Sequence, residues 1–309
     1  MFASSVTRTG LRAMCSGWMR KCRVVTKSRP CHLPGRQERP SCALPSGSSR
    51  YPLKARRKGN IMGSETLEYV AEVRRRLDEV EREGEALLLA ARWCADAIAS
   101  GGLVHVFGAG HSHMAAEEAF YRAGGLVPVN AVLVDWLMVH PGKRASLLER
   151  LPGLGEVVLA TEPVQNGDVF FVVSNSGRNP APIEVAEAAK ARDAKVVAVL
   201  SREHSAKVEA RGGLGIKLAD VADLVIDNHA PLGDAAIAVG DDVKVGGLSS
   251  VMGLVIIQTV VVETVKLLAG RGIEPPVFKS ANVDGSEEWN SRQVAGLKRP
   301  PTLLRGWER

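Results

Sequence analysis

The sequence predicts an α/β protein built on a doubly wound parallel sheet. Two observations carry this. Short apolar runs alternate with helical stretches along most of the chain. The runs are also apolar on both faces, as in Val169-Phe170-Phe171-Val172-Val173 and Val196-Val197-Ala198-Val199-Leu200. Strands of that kind are covered by helices on both sides, the setting of a parallel sheet.

The elements follow in order. Ser64 can cap a helix in which Leu67, Val70, Val73, Leu77 and Val80 recur every three or four residues, with Glu and Arg between them. Gly84 can break it; Leu87, Leu88, Trp93, Ala97 and Ile98 carry the pattern on to Gly101-Gly102. Residues 103–107 read as a strand, 112–123 as a helix closed by Gly124-Gly125, and 127–134 as a second strand. A short helix is expected over 144–150 and a short strand over 157–160. Then come a strand at 168–173, a helix at 182–192, a strand at 195–200, a short helix at 205–211 and a strand at 223–226. The most apolar stretch, from Leu248 to Val262, is interrupted by Ser249, Ser250, Gly253, Gln258 and Thr259, so 248–268 reads as a buried helix and not a bilayer span.

The net charge of +6 divides unevenly. Residues 1–61 hold 14 Lys or Arg against the single acid Glu38, and the rest holds 26 against 33 acids. The basic segment has no hydrophobic period and is dense in Ser, Pro and Arg. It reads as a start called too early, since Met62-Gly63-Ser64-Glu65 looks like a natural beginning. A transit peptide comes second and a disordered basic arm third. No helix-turn-helix pattern or aromatic interleaving accompanies the charge, so no nucleic-acid partner is expected, and no membrane. The domain is set at 62–297, with 298–309 as a disordered tail. Cys15, Cys22, Cys31 and Cys42 all fall in the basic segment at spacings that match no zinc pattern. Cys94 alone remains, on an apolar helix face, as a small core residue. That usage suits a reducing cytoplasm.

Ligands of doubly wound sheets bind beyond the carboxyl ends of the strands. The first strand is followed there by Gly108-Ala109-Gly110-His111-Ser112-His113. Its glycines let backbone approach an anion, and Ser112 can cap a helix whose N-terminal amides favour negative charge. A dinucleotide fingerprint would need glycine where His113 stands, and a P-loop would need Gly-Lys-Ser/Thr, so no nucleotide cofactor is expected. After Val173 comes Ser174-Asn175-Ser176-Gly177-Arg178-Asn179, a donor-rich turn with nothing apolar to pack. A tight turn with a helix cap would account for either loop alone. The same device after two strands of one sheet points to phosphate.

These two loops resemble the SIS (sugar isomerase) domain of phosphosugar isomerases and phosphosugar-binding proteins, over roughly residues 84–268. The closer likeness is to a bacterial subfamily, through Gly-His-Ser-His-Met, Phe-Tyr-Arg-Ala-Gly-Gly, Ser-Asn-Ser-Gly-Arg-Asn and Ser-Ala-Asn-Val-Asp-Gly. The resemblance implies a five-stranded parallel sheet flanked by helices and paired into dimers or higher oligomers. It implies that Ser112, Ser174, Ser176 and Asn179 hold the substrate phosphate, with Gly110, His111, Asn175 and Gly177 beside them. Two departures stand out. Asn179 replaces the Thr of many members, and Arg122 stands where several catalytic members carry Glu.

Aldose–ketose isomerisation needs a base to move a proton between neighbouring carbons, and an acid at the oxygens. His113 and Glu117 share a helix face at i and i+4, with Glu118 alongside. His204, in another strand-end loop, is a third acid or base candidate. His229 and Asp234, after the last strand, are candidates for the sugar hydroxyls. Arg178 and Lys244 are possible phosphate partners, and Glu288 is a spare carboxylate on a segment that could fold over its own or a neighbour's site. His111, His113 and Glu117 suit a divalent metal by type, but no further ligand is identifiable, and no metal is expected. The reading is a phosphosugar-binding protein, most plausibly an aldose–ketose isomerase. A non-catalytic phosphosugar sensor and a lyase or etherase of the same fold are the alternatives.

Overall fold

The computed structural model describes residues 67–213 and 215–307. The basic segment 1–61, its four cysteines and the Ser64 cap lie outside them.

Five parallel strands form one sheet. β1 (Val104–Gly108), β2 (Val129–Val132), β3 (Val169–Val173), β4 (Lys195–Leu200) and β5 (Leu224–Asp227) lie in the order β2-β1-β3-β4-β5. Side chains alternate across a strand, so each apolar run feeds two cores. Val104, Val106, Phe171, Val173, Val197 and Val199 face one core. They pack there with Leu87, Ala91 and Cys94 of α2 (Gly84–Ser100), with α3 (Met114–Ala119), and with Met252, Ile256 and Val260 of α9 (Ser249–Gly270). Phe107, Phe170, Val172, Val196 and Ala198 face the other, against α5 (Gly155–Leu159), α6 (Pro180–Lys190) and α8 (Leu218–Val221). The remaining helices are α1 (Glu68–Glu81), α4 (Lys143–Leu148), α7 (Arg202–Ala206) and α10 (Ser286–Ala295).

The long apolar helix α9 would satisfy a membrane span by length and composition, and 44% of its most apolar window is buried against the rest of the fold. Cys94 is a core residue, and burial pushes its thiol up to about 12.

Several expectations are corrected. Residues 157–159 belong to helix α5 and Ala160 is its C-cap, so no strand forms there. A four-residue apolar run is ambiguous by itself, and distant groups decide it here. The Glu184 carboxylate accepts the amides of Gly153 (2.8 Å), Leu154 (2.7 Å) and Gly155 (3.3 Å), capping α5, while a Cβ on Gly155 would sit 2.4 Å from the Glu184 carbonyl oxygen. The helix expected over 205–211 is α7, displaced toward the strand because Ser201 Oγ accepts the His204 amide (3.0 Å). The helix expected over 112–123 divides into a 3-10 turn, Gly110–His113, and the short α3. A hairpin of β6 (Ala235–Ala238) and β7 (Lys244–Gly247) has no counterpart in the strand pattern.

The tail expected to be disordered is packed through residue 307, with Pro301 and Leu304 buried. Arg299 pairs with the fully buried Asp168 (Nη1 to Oδ2, 3.0 Å), and the Thr302 amide donates to Asn130 Oδ1 (2.7 Å). Asp168 also accepts His105 Nε2 (2.9 Å) and the amides of Leu103 and Gln165 (both 2.8 Å). Burial raises the pKa of this carboxyl; the bonds from His105, Leu103 and Gln165 outweigh it and hold Asp168 below the usual range. The network lies at the amino ends of β1–β3, away from the strand ends where ligands bind.

Candidate functional site

In the order β2-β1-β3-β4-β5 the chain direction of the crossovers reverses between β1 and β3, and a crevice opens beyond their carboxyl ends. The β1 loop turns sharply there. Gly110 sits at φ +56°, in the left-handed region, and Gly108 lies so close under the next turn that a Cβ would meet the Ser112 carbonyl at 2.4 Å. Glycine at both positions lays Gly110–His113 across the strand end. After β3, Gly177 at φ +57° folds the loop back, with its amide on the Ser174 carbonyl (3.1 Å).

Between these loops and the start of α9 lies a small open depression. Its polar wall is His111, Ser112, Asn175, Asn228, Ser249 and Ser250, over a floor that includes Ala115, Val173 and Gly253. No carboxylate lines it. The first four amides of a helix lack intrahelical partners. In α9 those of Leu248 and Ser249 are taken by Asp234 Oδ1 (3.0 and 2.7 Å), and those of Ser250 and Val251 are left for other acceptors. Hydroxyls, side-chain amides and the positive end of a 22-residue helix therefore meet at one place.

Of the expected phosphate residues, His111, Ser112 and Asn175 line the depression. Gly110, Ser174, Ser176 and Gly177 shape the loops without lining it. Ser174 is buried, with its amide on the Val199 carbonyl (3.0 Å). Asn179 is turned to the scaffold: its Oδ1 accepts Arg211 (3.1 Å) and it hydrogen-bonds Glu149.

The catalytic candidates separate. His113 is buried. Its Nδ1–H donates to the Gly110 carbonyl, and its Nε2 stands 3.5 Å from Glu117 Oε1, whose side chain is half exposed. Neither lines the depression. Glu118 accepts Gln258 (3.1 Å) and pairs with Arg122. His204 is nearer the wall. Asn228 Nδ2 donates to Asn175 Oδ1 (3.1 Å), which leaves Asn175 Nδ2 to donate to His204 Nδ1 (3.3 Å). The ring proton is thereby placed on Nε2. Burial, with a smaller contribution from Arg178, pulls the His204 pKa below the ordinary imidazole value against the opposing charges of Asp234 and Glu203. His204 is a neutral N–H donor near pH 7.

The sugar candidates each hold a partner within the fold. Asp234, at φ +71°, spends Oδ1 on the α9 cap. His229, at φ +52°, bonds Glu83 (3.2 Å) and so ties the loop after β5 to the α1–α2 turn. Lys244 is exposed on the hairpin. Glu288 is exposed on α10, in a segment anchored by Phe278 and by Trp289 Nε1 donating to the Val277 carbonyl (2.8 Å), and this segment supplies none of the wall. Among the described residues, no three His, Cys, Asp or Glu converge as metal ligands, so His111, His113 and Glu117 do not form such a group. Sequence reasoning missed Ser249 and Ser250 as wall residues, and in the loop after β5 it singled out His229 and Asp234 where Asn228 lines the wall. The signal was present as two serines opening an otherwise apolar helix.

Comparison with known proteins follows the same lines. A family model described as an SIS domain matches residues 68–201. A UPF0309 protein of Geobacillus thermodenitrificans is 43% identical over 243 residues, covering 77% of this chain and 98% of its own. One from Geobacillus kaustophilus is 44% identical over 243 residues, covering 77% and 97%. Among solved structures, the phosphoheptose isomerase of Neisseria gonorrhoeae is 19% identical with a TM-score of 0.45, over 64% of this chain and 96% of that one.

Proposed function

This chain belongs to the UPF0309 family and carries an SIS domain, and from that premise we propose that it binds a phosphorylated sugar in the depression at the β1/β3 strand ends. One observation carries the reading: a wall of hydroxyls, amides and a helix N-terminus, with no carboxylate in it. Such a surface suits a phosphate dianion, because donors stabilise it and no fixed negative charge opposes it. Ser112, Ser249 and Asn175 would take the phosphate oxygens. The site belongs to the described unit, which residues 298–307 complete by packing on its sheet. A cytoplasmic homo-oligomer fits the half-covered apolar face of α9.

As an enzyme the chain would be an aldose–ketose isomerase. A base removes the proton from C2 of the aldose and the C1 carbonyl oxygen takes up a proton to give an enediol; the proton is then returned to C1 while the C2 hydroxyl gives up its own, leaving the C2 carbonyl of the ketose. His204, neutral with its proton on Nε2, suits the electrophile at the oxygens. Glu117, backed by His113, suits the base. A phosphosugar sensor is the second reading, favoured by the placement of both Glu117 and His113 outside the wall. A thermal-shift panel of pentose, hexose, heptose and amino-sugar phosphates tests binding. A saturating ligand at a hundredfold excess over its Kd stabilises by about 2.7 kcal/mol. Incubation of each binder in heavy water then separates the two readings. Deuterium at a sugar carbon supports the isomerase, and tight binding without label supports the sensor. A panel with no shift at all removes both.

A further inference from the structure

The loop after β3 has a second side that the depression does not use. Asn175 looks into the depression, but Arg178, three residues on and past the Gly177 turn, lies elsewhere. Its Nε is buried and has no hydrogen-bond partner among the described residues. A buried, charged N–H without an acceptor is destabilising, and folds keep such groups mainly where a ligand or water completes them.

A second arginine is held against the same loop. The Arg211 amide donates to the Arg178 carbonyl (2.9 Å), and Arg211 Nη1 donates to Asn179 (3.1 Å). Gly212, at φ +76°, is pressed on Pro180 so closely that a Cβ would fall 2.3 Å from Pro180 Cγ, which clamps this segment to the loop. Arg150 follows α4, whose end is tied to α6 through the Ala181 amide on the Glu149 carbonyl (3.1 Å). Arg211 is pulled below its ordinary value by burial first and then by Arg178 and Arg150, with Glu149 opposing. Glu149 is itself pushed up by burial, against the Asn179 hydrogen bond and the charges of Arg150 and Arg211. Glu149 is therefore opposed by two cations, Arg150 and Arg211. Arg178 also acts electrostatically on His204, whose ring is bonded to Asn175 in the depression wall, and Arg178 belongs to the same strand-end loop as Asn175.

A guanidinium fork presents Nε and Nη side by side to a planar or tetrahedral oxyanion. We propose that Arg178, assisted by Arg211 and Arg150, takes a second anionic group of the ligand, a carboxylate or a second phosphate. The preferred substrates are then sugar phosphates that carry two acidic groups. The proposal rests on the reading of the depression as the first phosphate site. Arg178 supplies the fork, and the neighbouring cations hold the field positive so that the second anion is not opposed by Glu149.

The test is isothermal titration of the full chain, at fixed salt, with glucose 6-phosphate, 6-phosphogluconate and fructose 1,6-bisphosphate. The expected result is binding of at least one two-anion sugar about tenfold or more tighter than glucose 6-phosphate. Preference for 6-phosphogluconate identifies a carboxylate, and preference for the bisphosphate a second phosphate. Arg178→Gln erases the ratio and leaves glucose 6-phosphate affinity unchanged, and Arg178→Lys retains part of it because charge survives without the fork. Equal affinities in the wild type, with glucose 6-phosphate still bound, overturn this inference and leave the first site standing. A ratio that persists in Arg178→Gln, or in Arg178→Lys at its full wild-type value should the Gln variant not fold, overturns it as well. Failure of all three sugars and of inorganic phosphate to bind removes the first-site reading, and this inference with it.

Discussion

Gly253→Ala should stabilise the protein and weaken its ligand binding at the same time. Gly253 is the fifth residue of α9, inside a helix, where glycine is about 0.8–1.0 kcal/mol less favourable than alanine. The added Cβ meets only Val173 Cγ1, at 3.9 Å, an ordinary contact, so no clash offsets the gain. Unfolding by urea should shift by about 1 kcal/mol, and the Tm should rise by roughly 2–4 °C for a unit of this size. Gly253 and Val173 both belong to the floor of the depression, so the same methyl intrudes on the ligand. Intrusion of that kind costs about 1–3 kcal/mol, a fall of roughly fivefold or more in affinity. The assay is isothermal titration with whichever sugar phosphate binds the wild type best, paired with urea denaturation of the apo-protein. A stabilised variant that binds the sugar as well as the wild type would refute the placement of the ligand. A destabilised variant would refute the packing argument. Gly108→Ala supplies the contrast, because its Cβ would lie 2.4 Å from the Ser112 carbonyl, a backbone group that cannot swing aside.

Two further outcomes follow from the same geometry. Asp234→Ala removes the acceptor for the Leu248 and Ser249 amides and should cost about 0.5–2 kcal/mol, while Asp234→Asn, which keeps an acceptor, should stay close to wild type. Urea midpoints and sugar-phosphate affinity should fall together in the Ala variant, since the cap positions the serines of the wall. Asp168→Asn breaks the buried pair with Arg299 and should destabilise by about 3–5 kcal/mol in chemical denaturation near pH 7. The Asp168 pKa is depressed in the fold, so its contribution is fully present above the unfolded value of about 3.9 and is lost as pH falls through the folded value. Wild-type stability should therefore drop below about pH 4 by more than that of the Asn variant, and parallel pH profiles would count against the depressed carboxyl.

What the sequence makes legible depends on how local the deciding interaction is. Val169–Val173 is apolar on both faces because helices cover both, and that pattern is complete within five residues. The two strand-end loops are legible for the same reason: glycines and hydroxyls announce a turn that approaches an anion without help from elsewhere. Residues 157–160 are illegible because Glu184 decides their state from a distant helix. Asp234 and His229 look like site residues by type and position, but non-local partners, the α9 amides and Glu83, claim their side chains. Asn179 is claimed in the same way by Arg211 and Glu149. Ser249 and Ser250 become wall residues only once α9 has packed beside the β1 loop; the two hydroxyls opening an apolar helix mark an unusual start without naming that neighbour. The tail misleads by composition. It is polar and lacks a period, yet Arg299 and Thr302 are drawn into a buried network built by three strands.

The most direct test of the central claim is a crystal structure of the protein soaked with glucose 6-phosphate. The expected result is phosphate density within hydrogen-bond reach of Ser112, Asn175 and the first turn of α9. Density for the sugar phosphate at any other surface, with these groups still turned to their present partners and the depression empty, would contradict it.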